Sequence, residues 1–238
     1  MAASLSPEGR VIMISGASRG IGRAIAQRLH DDGFCLSLGM RSPVMPEGFD
    51  PSRTIVEKFD ATVPDDAKSW LDATLSRFGR LDGLINNAGI LRALDLREGD
   101  EAVLDEMWAV NVKAPYRLIR LALPALEQAG NGRIINVAST DAKRYREGVS
   151  VAYTMTKHAV LALSHAAKFA GWEKGVRVTA LCPGAVDTDL VASIPGVTPA
   201  ANRIAPETIA ATVSFLLSLP DNASVAELVM NTRLESSL

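Results

Sequence analysis

The chain has 238 residues, with 25 Lys and Arg against 27 Asp and Glu, 47% hydrophobic and 22% charged residues. That near-neutral balance suits an ordinary water-soluble globular protein. It offers no basic footprint for nucleic acid and no apolar run near the ~18 residues of a membrane span. The opening MAASLSPEGR lacks the apolar core of a secretory signal, and two cysteines, Cys35 and Cys182, are too few for a disulfide framework or a Cys-based zinc site. The expectation is a cytoplasmic enzyme or binding domain that engages neither nucleic acid nor membrane.

Apolar runs alternate with helical periodicity along the chain. RVIMIS (10–15) reads as a strand entering a glycine cluster, and Ile21, Ala24, Ile25 and Leu29 recur at helical spacing until Gly33. FCLSLG (34–39) and TIVEKF (54–59) read as strands, Pro64 opens a helix to Phe78, and LDGLIN (81–86) is a fourth strand. A long helical region covers 101–129, interrupted by Pro115 and Pro124. RIINVA (133–138) is a fifth strand, 151–172 a helix, VRVTALC (176–182) a sixth strand, 207–219 a helix and VAELVM (225–230) a last strand. This alternation predicts a parallel sheet of about seven strands with helices on both faces, the doubly wound α/β class, in a single domain. The ends, 1–9 and 232–238, are expected to be loosely held. Segment 189–206, with Pro195, Gly196, Pro199 and Pro206, reads as a substrate loop or lid.

The first strand runs directly into SGASRGIG, which spaces Gly16, Gly20 and Gly22 as G-x-x-x-G-x-G before a helix. Glycines there let the backbone approach a pyrophosphate, which sits on the amides of the following helix. This spacing resembles the glycine loop of the short-chain dehydrogenase/reductase family, in its compact single-domain branch, with Ser15 where that family usually has Thr. Further motifs of the family follow in order: NNAG (86–89), the helix segment DEMWAVNV (105–112), Ser139 after the fifth strand, YTMTK with Tyr153 and Lys157, and CPGAVDT (182–188).

The resemblance implies a Rossmann-type dehydrogenase using a nicotinamide cofactor. Tyr153 and Lys157, four apart on a helix, share a face. Tyr153 is expected to exchange a proton with the substrate oxygen, and Ser139 to hydrogen-bond that oxygen. Lys157 is expected to lower the tyrosine pKa and, by the resemblance, to hold the nicotinamide ribose. Asn111 would hold a water in a proton relay. The interval from Ser139 to Tyr153 is one longer than a common family spacing, which would point to Thr140; strand register favours Ser139. Tyr145 lacks a lysine four residues on and reads as a loop aromatic.

Cofactor contacts implied by the resemblance are Gly16, Ser18, Arg19, Gly20, Ile21 and Gly22 in the glycine loop, and Asn87, Ala88 and Gly89 near the adenosine ribose. Asp60 and Ala61 follow the third strand, Asp60 toward the adenine amino group; Pro183, Gly184, Val186 and Thr188 follow the sixth. At the end of the second strand, where an acid would select NAD(H), stands Met40, followed by Arg41 and Ser42. Arg19 and Arg41 without an acid favour NADP(H) over NAD(H).

The loop TDAKRYREGVSVA carries Lys143, Arg144 and Arg146 against Asp141 and Glu147. Arg144 and Arg146 are candidate partners for an anionic group on a small-molecule carbonyl or alcohol substrate. The tail, SLPDNASVAELVMNTRLESSL, departs from the family's usual D-G-G ending and is similar in style to members that oxidise 3-hydroxy acids. The rival readings are a non-catalytic NADP(H)-sensing protein on the same fold and a sugar-nucleotide epimerase, for whose extra domain the chain lacks length. His158 and His165 share a helix face without a third ligand nearby, so no metal is expected. By the resemblance, a homodimer or homotetramer would form through the helices at 101–129 and 151–172.

Overall fold

The central strand segments are largely apolar because both of their faces are covered. In β1 (Val11–Ser15), Ile12 and Ile14 point into one core and Val11 and Met13 into the other, the period of two that a pleated strand imposes. The computed structural model describes residues 4–146, 148–192 and 197–234. Glu147, Pro195 and Gly196, singled out in the sequence, lie outside them, as do 1–3 and 235–238 at the ends. The other strands are β2 (Cys35–Met40), β3 (Thr54–Lys58), β4 (Gly83–Asn86), β5 (Arg133–Val137), β6 (Arg177–Pro183) and β7 (Glu227–Met230). They form one seven-stranded sheet, ordered β3-β2-β1-β4-β5-β6-β7, with every pairing parallel.

The helices are α1 (Gly20–Asp32), α2 (Pro64–Phe78), α3 (Glu101–Trp108), α4 (Ala114–Ala129), α5 (Val151–Gly171), α6 (Asp189–Ala192) and α7 (Pro206–Ser218). Helices α1 and α7 pack together over one face, through Ile25, Leu29, Ile209 and Val213. Helices α2, α4 and α5 cover the other, through Trp70, Leu118 and Ala167. The connection after β1 therefore goes to one face and the one after β4 to the other, which opens a crevice at the carboxyl ends of these two neighbours. Among the described residues no helix is long and apolar enough to cross a membrane.

The structure differs from the sequence expectation in two places that matter for the site. Region 101–129 is not one helix interrupted at its prolines: Pro115 sits harmlessly in the first turn of α4, and the interruption is a π turn at Ala109–Lys113. Segment 189–206 is more ordered than a bare loop. It contains α6 and a 3-10 turn at Ala200–Asn202. A bridge from Val186 to Ile204 closes its base, with Ile204 N–H donating to Ala185 C=O at 2.9 Å.

One side chain ties α2 to β2 and β3. Trp70 is buried, packs tilted at 5.0 Å from Phe59 and donates its indole N–H to Ser37 Oγ at 2.8 Å. A Cβ on Gly39 would come within 2.7 Å of the indole ring, so this strand position admits only glycine while the tryptophan is there. Trp70→Ala removes that packing and the indole bond to Ser37, which keeps its partner Thr74, and is expected to cost about 3–5 kcal/mol. Urea unfolding followed by circular dichroism reads the loss; a change under 1 kcal/mol would contradict this role.

Candidate active site and cofactor cleft

Ser15 is the last residue of β1, and its hydroxyl accepts the backbone N–H groups of Asn87 and Ala88 at 3.0 and 3.1 Å. Asn87 reciprocates: its Nδ2 donates to the carbonyls of Ser15 and Gly16 at 3.0 and 3.1 Å. The hydroxyl at position 15 is what this clasp needs, which explains why serine serves as well as threonine. The clasp presses the glycine loop so close to the β4 end that side chains are excluded. A Cβ on Gly22 would lie 2.2 Å from Gly16 O, and one on Gly16 would lie 2.9 Å from Ala88 Cα. Gly16 and Gly20 also adopt φ of +68° and +55°, which side chains disfavour.

Helix α1 then starts at Gly20 with no side-chain cap and no acidic residue in its first turn. Its leading amides are bare and face the cleft beside Ser18, Arg19 and Ile21, the arrangement that suits a phosphate group. Arg19 is mostly exposed and pairs with Asp189 of α6 at 2.9 Å. At the end of β2, Met40 is buried while Arg41 and Ser42 are exposed on the cleft wall. Asp60 accepts Thr62 N–H and Oγ–H at 2.9 and 2.7 Å. Those bonds, and then the Arg41 charge, hold its carboxyl below the usual range. Ala61 is buried beside it. Across the cleft lie Pro183, Gly184, Val186 and Thr188; a Cβ on Gly20 would come 3.2 Å from the Thr188 methyl. The whole cleft measures about 1220 Å³, beyond the ~300–1,000 Å³ of a single small-ligand pocket. The residues fit a dinucleotide: a glycine cradle that excludes side chains, an uncapped helix start and two exposed arginines, Arg19 and Arg41.

The catalytic candidates meet deeper in the same cleft. Ser139 follows β5 and caps the 3-10 turn Thr140–Ala142, accepting Asp141 N–H at 3.0 Å. Ser150 caps α5, and one turn on, the buried Tyr153 lines the same cleft as Ser139, whose hydroxyl works against the rise in the phenol's pKa. Thr140, the alternative to Ser139, lines the cleft as well. Lys157, buried one turn later, donates from Nζ to Val137 O at 2.8 Å and stands 5.4 Å from the tyrosine ring centre. Gly89 lies beside it; a Cβ there would be 3.8 Å from Nζ and 3.4 Å from Asn111 Oδ1.

The electrostatics differ from the expectation that Lys157 lowers the Tyr153 pKa. Burial pushes the phenol well above its usual value, the Asp141 carboxylate pushes it further, and only the Ser139 hydrogen bond opposes them. Lys157 is itself lowered to about 8 by burial. Desolvation penalises the charged form of both groups and outweighs their mutual help.

Asn111 sits on the π turn, which swings it toward the loop after β4. Its Nδ2 donates to Ile90 O at 2.9 Å and Thr156 Oγ1 at 3.1 Å, while Oδ1 accepts Ile90 N–H at 2.9 Å. Both amide hydrogens are committed, so they do not serve the water expected from the resemblance; the side chain instead locks the Ile90 loop onto α5. Of the two substrate candidates, Arg146 lines the cleft and Arg144 does not. Arg144 turns inward and donates to Asp141 at 2.5 Å. Tyr145 is exposed on the cleft rim, His158 bonds Thr154 O at 2.9 Å, and His165 pairs with Glu227 at 2.8 Å.

Sequence reasoning passed over Asp141. It is buried beside Tyr153 and holds both loop arginines. The available signal was its place as the one carboxylate between the serine and the basic residues, two positions after Ser139.

Residues 10–196 match the sequence model of the short chain dehydrogenase family. The chain is 40% identical over 186 residues to agropine synthesis reductase of Rhizobium rhizogenes, an alignment covering 76% of this chain and 43% of that protein. It thus spans less than half the length of that relative. Among solved structures, it resembles the 3-ketoacyl-(acyl-carrier-protein) reductase of Brucella melitensis complexed with NADH. There the TM-score is 0.86 and the identity 27%, over 95% of this chain and 98% of that one. It also resembles the alcohol dehydrogenase of Thermococcus sibiricus complexed with 5-hydroxy-NADP. That match has a TM-score of 0.82 and 32% identity, over 93% and 95% of the two chains.

The Lys157 environment has a measurable consequence. Its pKa is about 8 in the fold and about 10.4 unfolded, so the unfolded chain binds more protons between those values. Stability from this group is complete above the unfolded pKa and is lost as pH falls through about 8. The difference in urea-unfolding stability between Lys157→Met and the native chain should therefore be largest near pH 7 and shrink toward pH 10, with the variant the more stable at the low end. A pH-independent difference would contradict the assignment.

Proposed function

This chain belongs to the short-chain dehydrogenase family, and we propose that it is an NADP(H)-dependent oxidoreductase interconverting a carbonyl and a secondary alcohol. The observation that carries the reading is the gathering of Ser139, Tyr153 and Lys157 in one cleft, which also holds a glycine cradle.

When bound, the nicotinamide supplies the hydride in reduction and accepts it in oxidation. Tyr153 donates its proton to the carbonyl oxygen as that oxygen gains charge. A phenol that burial keeps protonated near neutrality is in the form reduction requires. Ser139 offers its hydroxyl to the same oxygen and fixes its position. Lys157 lies within reach of the ribose side of the cleft and holds positive charge next to the phenol, which offsets part of the phenolate's burial cost after the proton leaves. Asn111 acts through position, keeping the Ile90 loop and α5 in register.

NADP(H) is the proposed cofactor because the second strand ends on Met40 with no carboxylate, while Arg41, Ser42 and Arg19 line the same cleft and would favour a ribose 2′-phosphate. The bonds from Thr62 and the Arg41 charge keep Asp60 ionised, suited to accepting an amino group from adenine. The exposed Tyr116 of α4 and Met155 and Phe169 of α5 supply apolar surface for a second copy, consistent with a homodimer or homotetramer.

Tyr153→Phe is expected to cut kcat by at least about 100-fold while NADPH binding, read by quenching of protein fluorescence, stays within twofold. Retained turnover would refute the role. For the cofactor, kcat/KM with NADPH should exceed that with NADH by more than tenfold, and Arg41→Ala should erase most of that ratio. A native preference for NADH would refute the phosphate site.

A further inference from the structure

One ion pair joins the two walls of the cofactor cleft. Arg19 is the residue before α1, and its Nη1 donates to Asp189 Oδ2, at the start of α6, at 2.9 Å. Both side chains line the cleft and both are largely exposed, at 69% and 78%. Their neighbours bring them together: a Cβ on Gly20 would come 3.2 Å from the Thr188 methyl. The other carboxylate of this segment, Asp187, pairs with Arg203 at 3.1 Å, and its backbone N–H donates to Ile204 O at 2.9 Å. The base of the segment is therefore held without any help from Arg19.

The two arginines read as phosphate partners thus stand differently. Arg41 makes no ion pair among the described residues, whereas Arg19 already has a carboxylate on its guanidinium. A phosphate that reaches Arg19 has to displace Asp189. The exchange favours the phosphate, because a phosphate monoester carries about 1.5 to 2 negative charges near neutral pH, against one on a carboxylate. A guanidinium also grips phosphate through two parallel N–H bonds. An exposed pair such as Arg19–Asp189 resists by a factor of at most about five. A ribose 2′-hydroxyl is uncharged and gives Arg19 no cause to leave Asp189. The carboxylate therefore works against the phosphorylated cofactor alone.

We propose that Asp189 is a specificity-determining residue: it competes with the ribose 2′-phosphate for Arg19, and so lowers affinity for NADP(H) while leaving NAD(H) untouched. The inference rests on the reading of Arg19 as a phosphate partner given above. No covalent bond changes in the exchange; one ion pair is given up and a stronger one forms. Asp187 keeps Arg203 throughout, so Asp189 is released to solvent without unfastening the segment that carries it.

The test is a set of Kd values for NADPH and NADH, read by quenching of protein fluorescence, on the native chain, Asp189→Asn, Arg19→Gln and the double variant. Asp189→Asn should tighten NADPH about two- to fivefold and leave NADH within about 1.5-fold. Adenosine 2′,5′-bisphosphate set against 5′-AMP, each displacing bound NADPH, isolates the 2′-phosphate and should show the same selective gain. Arg19→Gln should weaken NADPH relative to NADH, and adding Asp189→Asn to it should then move that ratio by less than about 1.5-fold. Three results overturn the exchange: NADPH weakened by Asp189→Asn, both cofactors tightened alike, or an equal selective gain in the Arg19→Gln background. Any of them, with Arg19→Gln still selectively weakening NADPH, leaves the NADP(H) reading standing. If Arg19→Gln spares the ratio of the two Kd values, Arg19 does not read the phosphate and the proposal falls with that assignment.

Discussion

The clasp between Ser15 and Asn87 is the contact on which the rest of the cleft depends. It joins the ends of two neighbouring strands whose following helices leave toward opposite faces. The hydroxyl accepts from two amides of the β4 end, and the asparagine donates to two carbonyls of the β1 end. Drawing the loops this close is what forces glycine at positions 16 and 22. It also leaves the start of α1 uncapped and turned into the crevice. The cradle proposed to take the cofactor phosphates is thus a by-product of how tightly the sheet centre closes.

Burial sets the chemistry at the inner end of the crevice as firmly as closeness sets the outer end. Tyr153 and Lys157 share a helix face, yet the low dielectric around them raises the acid and lowers the base. The lysine is near enough to stabilise a phenolate once it forms and too desolvated to create one in the free chain. Asp141 strengthens that bias toward a protonated tyrosine while it holds Arg144 by an ion pair.

Much of this architecture was legible in the residues. Strands buried on both faces announce themselves as unbroken apolar runs, and α1 and α2 are bounded by Gly33 and Gly79 at left-handed φ. The motif order located Ser139, Tyr153 and Lys157 because each follows a strand end or a helix cap fixed by local sequence. The π turn at Ala109–Lys113 was not legible: it accompanies the two-bond grip of Asn111 on Ile90, a contact between residues 21 apart. Nor was the reversed electrostatic balance, since desolvation depends on what lies above and below α5. The charge of the 143–146 loop was visible, but its direction was not. Asp141 turns Arg144 inward through an ion pair between residues three apart.

The central claim, direct hydride transfer to a carbonyl at Ser139 and Tyr153, is tested most directly with NADPH carrying deuterium at the transferring position of its nicotinamide. Mass spectrometry of the alcohol product should find one deuterium on the carbinol carbon, in the native chain and not above background in Tyr153→Phe over the same interval. An alcohol formed without deuterium, or formed equally fast by the variant, would contradict the account.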